Sequence, residues 1–176
     1  MKIETTINNQ KKELTVKSYT EPLLDVLRRH SYLGAKEGCR HGQCGACVVL
    51  INGLPVNSCI YPAGRTSGKK ITTIEGLGKP NNLHKIQQAY LESGAVQCGY
   101  CTPGMVLSTK SLLDKNPAPK DEEIKLALDG NLCRCTGYVK IIDAVKLAAK
   151  RLKSKRIREL EKNGQSKNQF SAGRKK

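Results

Sequence analysis

Eight cysteines among 176 residues fall into two groups of four, and their spacing states the chemistry open to this chain. The first group sets Cys39, Cys44 and Cys47 at C-x4-C-x2-C, with Cys59 following after eleven intervening residues. Thiolates so spaced wrap one edge of a 2Fe–2S cluster while a separate strand supplies the last sulfur. Gly38, Gly42 and Gly45 are threaded between them. A cluster held by four thiolates is anionic, so backbone N–H groups must approach its sulfurs. Glycine permits the positive φ and the close approach that this needs. Zinc or a redox disulfide is the rival chemistry. Cys39-x-His41 is half of a Rieske pattern, but the C-x2-H half is missing because Cys47 stands at that offset from Cys44. His41 is expected on the loop surface.

The second group is Cys98-x2-Cys101, then, after thirty-one residues, Cys133-x-Cys135. Both pairs run into Thr: Cys101-Thr102-Pro103-Gly104 and Cys135-Thr136-Gly137. From spacing alone, this set suits a 2Fe–2S cluster, a structural zinc ion or a disulfide framework, although C-x-C is tight for tetrahedral Zn²⁺ and no export signal favours disulfides. Arg134, between two thiolates, would either raise a cluster's potential through its charge or pair with a carboxylate or a partner chain.

The elements that must position these residues are legible on either side. Lys2 to Ile7 and Glu13 to Ser18 alternate apolar and polar residues around Asn8-Asn9, which predicts a β-hairpin. Thr20-Glu21-Pro22 predicts a helix start, with Leu23, Leu24, Val26 and Leu27 as its apolar face. Ala46 to Ile51 reads as a strand, Asn52-Gly53 as a hairpin turn returning through Val56 to Cys59, and Ile71 to Ile74 as a last strand. These describe a ferredoxin-like β-grasp domain over 1–78. Beyond it the pattern turns helical. Leu83, Ile86 and Tyr90 share one face, Pro103 opens a second helix, and Asp121-Glu122-Glu123 start a third. Ile141, Val145, Ala148 and Leu152 mark a fourth. The expected second domain, 79–155, is a small four-helix bundle, and the fold class is α+β. Cys98 and Cys101 then lie between its first two helices, and Cys133 and Cys135 between its last two. His30 and His84 fall at helix ends, with no metal role.

Composition narrows the function classes. With 4% aromatic residues, no Trp and one Phe, the core is aliphatic and modest, which favours two small domains tied by metal. No apolar run reaches membrane-spanning length, and Met1 to Thr6 lacks a signal core. The expectation is a cytoplasmic chain without membrane insertion, where clustered cysteines bind metal rather than pair. The net charge of +16 is concentrated at one end. Residues 150–176 carry eleven Lys/Arg against Glu159 and Glu161, which is +9 of the total and leaves +7 for the rest. The segment 156–176 is rich in Gly, Ser, Asn, Gln and basic residues, and is expected to be a disordered tail. With Phe170 its one aromatic residue and no recognition motif, nucleic acid is not the expected partner.

Three stretches carry a resemblance: Gly38 through Cys47, Ala95 through Gly104 (AVQCGYCTPG), and Gly130 through Tyr138 (GNLCRCTGY). Together they resemble the signatures of the iron–sulfur subunit, or N-terminal iron–sulfur domain, of the molybdenum hydroxylases, over about residues 2–152. The resemblance implies two 2Fe–2S clusters. Cys39, Cys44, Cys47 and Cys59 hold the one nearer FAD, with Gly42 and Gly45 in its loop. Cys98, Cys101, Cys133 and Cys135 hold the one nearer the molybdenum cofactor, and Gln97 contacts the pterin. It implies a molybdopterin-binding large subunit and an FAD-binding medium subunit as partners, in a complex that dimerises. Substrate chemistry then resides in a partner, and this chain relays electrons from molybdenum towards FAD. His84-x2-Gln87-Gln88-Ala89-Tyr90, running into Ser93 to Gln97, looks most like bacterial xanthine dehydrogenase small subunits and points to purine oxidation. The same relay in carbon monoxide, aldehyde or nicotinate-type oxidation is the alternative. A standalone ferredoxin-like carrier with a zinc-stabilised helical domain is another.

Overall fold

Asn8 and Asn9 both take positive φ, 50° and 66°, the geometry that lets a two-residue turn match the twist of a hairpin. They join β1 (Lys2–Ile7) to β2 (Gln10–Thr15). The tightness of that turn starts β2 at Gln10, ahead of the alternation beginning at Glu13. Asn52 and Gly53, at φ 50° and 82°, repeat the device between β3 (Val48–Ile51) and β4 (Leu54–Asn57). β5 (Lys70–Thr72) enters between β1, to which it is parallel, and β3, to which it is antiparallel, giving the sheet order β2-β1-β5-β3-β4. It ends two residues before the expected Ile74, which instead begins a 3-10 turn, Ile74–Gly76. The computed structural model describes residues 1–154, and the tail expected over 156–176 lies outside the described residues.

Helix α1 (Leu23–Arg29) starts after Pro22, whose fixed φ suits a helix entrance. Its Leu23, Leu24, Val26 and Leu27 are buried with Ile3, Ile7, Leu14, Val49, Ile51 and Ile71 in a first core that also takes in Cys47 and Cys59. All four residues of β3 are buried because both of its faces are covered. Val49 and Ile51 point into that core, while Val48 and Leu50 pack on Leu107.

Leu107 belongs to α3 (Thr102–Lys115), which packs with α2 (Lys85–Glu92), α4 (Asp121–Leu128) and α5 (139–154) around Ile86, Tyr90, Met105, Val106, Ile124, Ile141 and Val145. His84 caps α2: its Nδ1 accepts from the Ile86 N–H at 3.3 Å, and Gln87 Oε1 accepts from the His84 N–H at 2.9 Å. The buried Tyr90 hydroxyl is satisfied by Thr109 Oγ1 at 2.8 Å. No helix of the described residues is long and apolar enough to cross a membrane.

Glu21 turns inward at the α1 entrance and is 8% exposed. Burial alone would raise its carboxyl pKa. The Lys17 N–H, donating at 2.6 Å, and the Arg29 guanidinium outweigh that and hold it below the ordinary carboxylate value. A depressed folded pKa makes this stabilisation fully present above the ordinary carboxylate pKa and lost as pH falls through the folded value. Glu21→Gln is therefore expected to cost about 1–3 kcal/mol in urea denaturation at neutral pH, with the gap to the parent chain closing under acid. An equal gap at both pH values would contradict this account.

Candidate metal centres

Between α1 and β3 the chain forms a loop whose main-chain donors converge on sulfur. Cys39 Sγ accepts the N–H groups of His41 at 3.3 Å and of Gln43 and Cys44 at 3.4 Å each. These donors, His41 first, then Cys44 and Gln43, bring the Cys39 thiol pKa down to about 6. Gly42 and Gly45 make the convergence possible by taking φ 76° and 67°. Gly38 keeps a negative φ and serves space instead, since a Cβ there would lie 2.6 Å from Cys44 Sγ. Arg40 also takes a left-handed φ, 60°, and is fastened by Asp25 Oδ1 at 2.8 Å and Glu37 Oε1 at 2.5 Å. His41 is exposed, as expected, and meets the site through its backbone. Cys47, on the approach to β3, and Cys59, past β4, are buried against each other. Burial first, then Cys47, pushes the Cys59 thiol up to about 11.

Cys98 and Cys101 occupy the turn between α2 and α3, and Cys133 and Cys135 the turn between α4 and α5. Cys98 and Cys135 are exposed, with sulfurs 3.7 Å apart. Cys101 and Cys133 are half-buried and in contact; burial first, then Cys133, pushes Cys101 up to about 12. Burial would also raise Cys133. The Thr136 hydroxyl, donating to its sulfur at 3.2 Å, and the Thr136 and Cys135 N–H groups overcome that, and its net shift is downward. Gln97 is exposed beside Cys98, and Arg134 is exposed with no ion pair among the described residues.

The eight thiols therefore stand in four close pairs: Cys39 with Cys44, Cys47 with Cys59, Cys98 with Cys135, and Cys101 with Cys133. Among the described residues no three His, Cys, Asp or Glu donors converge as a single ion would require. Four thiols in two close pairs would suit the four-thiolate donor set of a 2Fe–2S cluster.

The two groups also face each other. A cleft of about 300 Å³ is lined by Cys39 and Cys44 from the first and by all four cysteines of the second. The Leu132 N–H donates to the Cys44 carbonyl at 2.9 Å. Asn131, 4% exposed, donates its Nδ2 to the Gly45 carbonyl at 3.1 Å and accepts the Ser108 hydroxyl at 2.7 Å. Tyr100 donates its hydroxyl to the Glu37 carbonyl. Sequence reasoning did not find Asn131, Thr136, the Arg40–Asp25 latch or the Tyr100 strut. Thr136 alone had a usable signal, a hydroxyl three residues after a cysteine.

Residues 5–67 match the family described as the 2Fe-2S iron-sulfur cluster binding domain, and residues 73–146 that described as the 2Fe-2S binding domain. The nicotinate dehydrogenase small FeS subunit of Eubacterium barkeri is 55% identical over 136 residues, covering 75% of this chain and 87% of that one. The xanthine dehydrogenase iron-sulfur-binding subunit of Escherichia coli O157:H7 is 46% identical over 148 residues, covering 81% and 91%. A solved structure of aldehyde oxidoreductase from Desulfovibrio gigas superposes with a TM-score of 0.85 at 42% identity, covering 88% of this chain and 17% of that one.

The two matched segments touch where there is no room for side chains. A Cβ on Gly104 would lie 2.2 Å from the Gly45 carbonyl oxygen, whereas one on Gly130 would meet nothing within 4 Å. Gly104→Ala is expected to destabilise the chain by about 1–3 kcal/mol, with Gly130→Ala within about 0.5 kcal/mol of the parent. Thermal unfolding of both variants checks this; equal effects would remove the close contact from the account.

Proposed function

The chain belongs to the iron–sulfur subunit family of the molybdenum hydroxylases, and on that premise we propose that Cys39, Cys44, Cys47 and Cys59 hold one 2Fe–2S cluster and Cys98, Cys101, Cys133 and Cys135 the other. It is an electron-transfer subunit, with substrate chemistry in a partner subunit. Bound at these sites, the clusters supply one-electron carriers. The observation that carries the residue assignment is the pairing of the thiols, which offers each of four irons two protein ligands. The chain's own work is then to keep anionic sulfur stable and the two ligand sets in register. Main-chain N–H groups do the first at Cys39, and the Thr136 hydroxyl does it at Cys133. The Leu132–Cys44 hydrogen bond does the second: it joins the loop of one set to the loop of the other, one residue before Cys133.

On this reading the second group faces a molybdopterin-binding large subunit and the first group an FAD-binding medium subunit, in a dimeric cytoplasmic complex. Tyr100, Leu132 and Val139, exposed at 48%, 55% and 64% beside the second group, support a partner surface there. Gln97 sits at the same rim, next to Cys98, where its amide can both donate to and accept from a pterin ring. The division into 1–78 and 79–155 is supported by the two separate cores, and the end of the first unit, Ile74 and Leu77, reaches across to pack on the second core. Since nicotinate and xanthine are both nitrogen heterocycles, the substrate class we favour is an N-heterocycle, with xanthine the narrower expectation.

EPR of the anaerobically purified, dithionite-reduced chain, with metal quantified alongside, tests the assignment. Two distinct 2Fe–2S signals with about four irons and four sulfides per chain are expected; one signal with two irons and one zinc would overturn it. Turnover of nicotinate or xanthine by the complex purified with its partners is the expected substrate result, and activity confined to aldehydes would overturn that choice.

A further inference from the structure

Asn57 closes β4, opposite Val48 and two residues before Cys59, yet its side chain reaches into the Cys39–Cys47 loop. Its Nδ2 donates to the Gly42 carbonyl at 2.6 Å. That carbonyl and the Gln43 N–H belong to one planar peptide unit, and the Gln43 N–H is one of the three that point at Cys39 Sγ. A single hydrogen-bonded chain therefore runs from the Asn57 amide, through the Gly42–Gln43 peptide, to the Cys39 sulfur. Donation into a carbonyl polarises the N–H on the other side of the same peptide and strengthens the bond it makes.

The orientation of the Asn57 amide is fixed. Turning it over would set its oxygen 2.6 Å from the Gly42 oxygen, a repulsive contact. In the orientation present, Asn57 Oδ1 is buried with no partner among the described residues. An orphaned buried acceptor calls for a reason, and the donor that the other half of the amide delivers to Gly42 supplies one. The loop has little freedom to escape the clamp. Gly42 sits under Ile60, whose Cδ1 would be 2.6 Å from a Cβ there, and the Ile60 N–H is tied to the Asn57 carbonyl at 3.2 Å.

We propose that Asn57 is a positioning residue for the first cluster, clamping the Gly42–Gln43 peptide so that the Gln43 N–H is held on the Cys39 sulfur and the cluster's reduction potential is raised. This rests on the assignment of Cys39 as a ligand. One-electron reduction adds negative charge to the cluster and its sulfurs, and an N–H aimed at sulfur stabilises the reduced form more than the oxidised one. Weakening that donor shifts the equilibrium towards the oxidised form at the first cluster alone, because the second group lies on different loops.

The test is an EPR-monitored redox titration of the full chain carrying Asn57→Ala or the near-isosteric Asn57→Asp, following both cluster signals. The expected result is a shift of the first cluster's reduction equilibrium towards oxidised by about three- to tenfold, tenfold being about 59 mV for one electron. The second cluster's midpoint stays in place and serves as the internal reference. An unmoved first midpoint in both variants, or equal movement of both clusters, overturns the proposal. So does loss of the first cluster from both variants, which would reduce Asn57 to a folding role. Absence of two 2Fe–2S signals in the parent chain would instead sink the cluster assignment, so the two failures are distinct.

Discussion

One hydrogen bond, from the Leu132 N–H to the Cys44 carbonyl at 2.9 Å, joins loops that come from two differently built halves of the chain. Electron exchange between two centres falls steeply with separation, so a relay needs its ligand loops held together more firmly than two loosely docked domains would allow. The chain meets that need with backbone rather than side chains. Gly45 and Gly104 let the main chains close to a distance that a methyl group would prevent, and the buried Asn131 adds a second donor to the Gly45 carbonyl, which already accepts the Val48 N–H. β3 extends the contact into the interior, giving one face to the core under α1 and the other to Leu107 of α3.

The second demand is electrostatic. Four thiolates around iron and sulfide leave net negative charge in a partly buried place, and the structure answers mostly with fixed dipoles. Three N–H groups on Cys39, and a hydroxyl with two N–H groups on Cys133, act at hydrogen-bond range and need little reorganisation when charge arrives. Arg40, the cation nearest the first cysteine in sequence, is instead spent on Asp25 and Glu37, where it pins the loop in a left-handed turn. Much of the chain's formal positive charge lies beyond residue 149, remote in sequence from both cysteine groups.

Periodicity and turn chemistry were enough to read the hairpins at Asn8-Asn9 and Asn52-Gly53, the amphipathic α1, and the four helices of the second half. Each is decided by local preference. The limits of β2 and β5 were less legible, because strand ends depend on partners: β5 stops at Thr72 where pairing with β1 and β3 stops, whatever its own sequence continues to favour. Cysteine spacing gave the two groups of cysteines but not the pairing within them. Cys98 meets Cys135 rather than Cys101 because α2–α3 and α4–α5 present their turns to each other, a fact of bundle packing rather than of spacing. Supporting residues such as Asn57 and Asn131 left no signal, since a polar residue near a cysteine looks the same whether it faces solvent or reaches a carbonyl in another loop.

Burial is distributed unequally over the four thiol pairs, and the inequality has a direction. Cys47 and Cys59 are set into the first core at 2% and 7% exposure, whereas Cys98 and Cys135 stand exposed in the cleft that Tyr100 and Leu132 also line. A ligand pair embedded in a core is rigid from the chain's own folding. An exposed pair, 3.7 Å apart, gains full exclusion of water only when another surface covers it. On the proposed assignment, one half of the first centre has its environment written into this polypeptide, and the second centre has part of its environment left for a partner to complete.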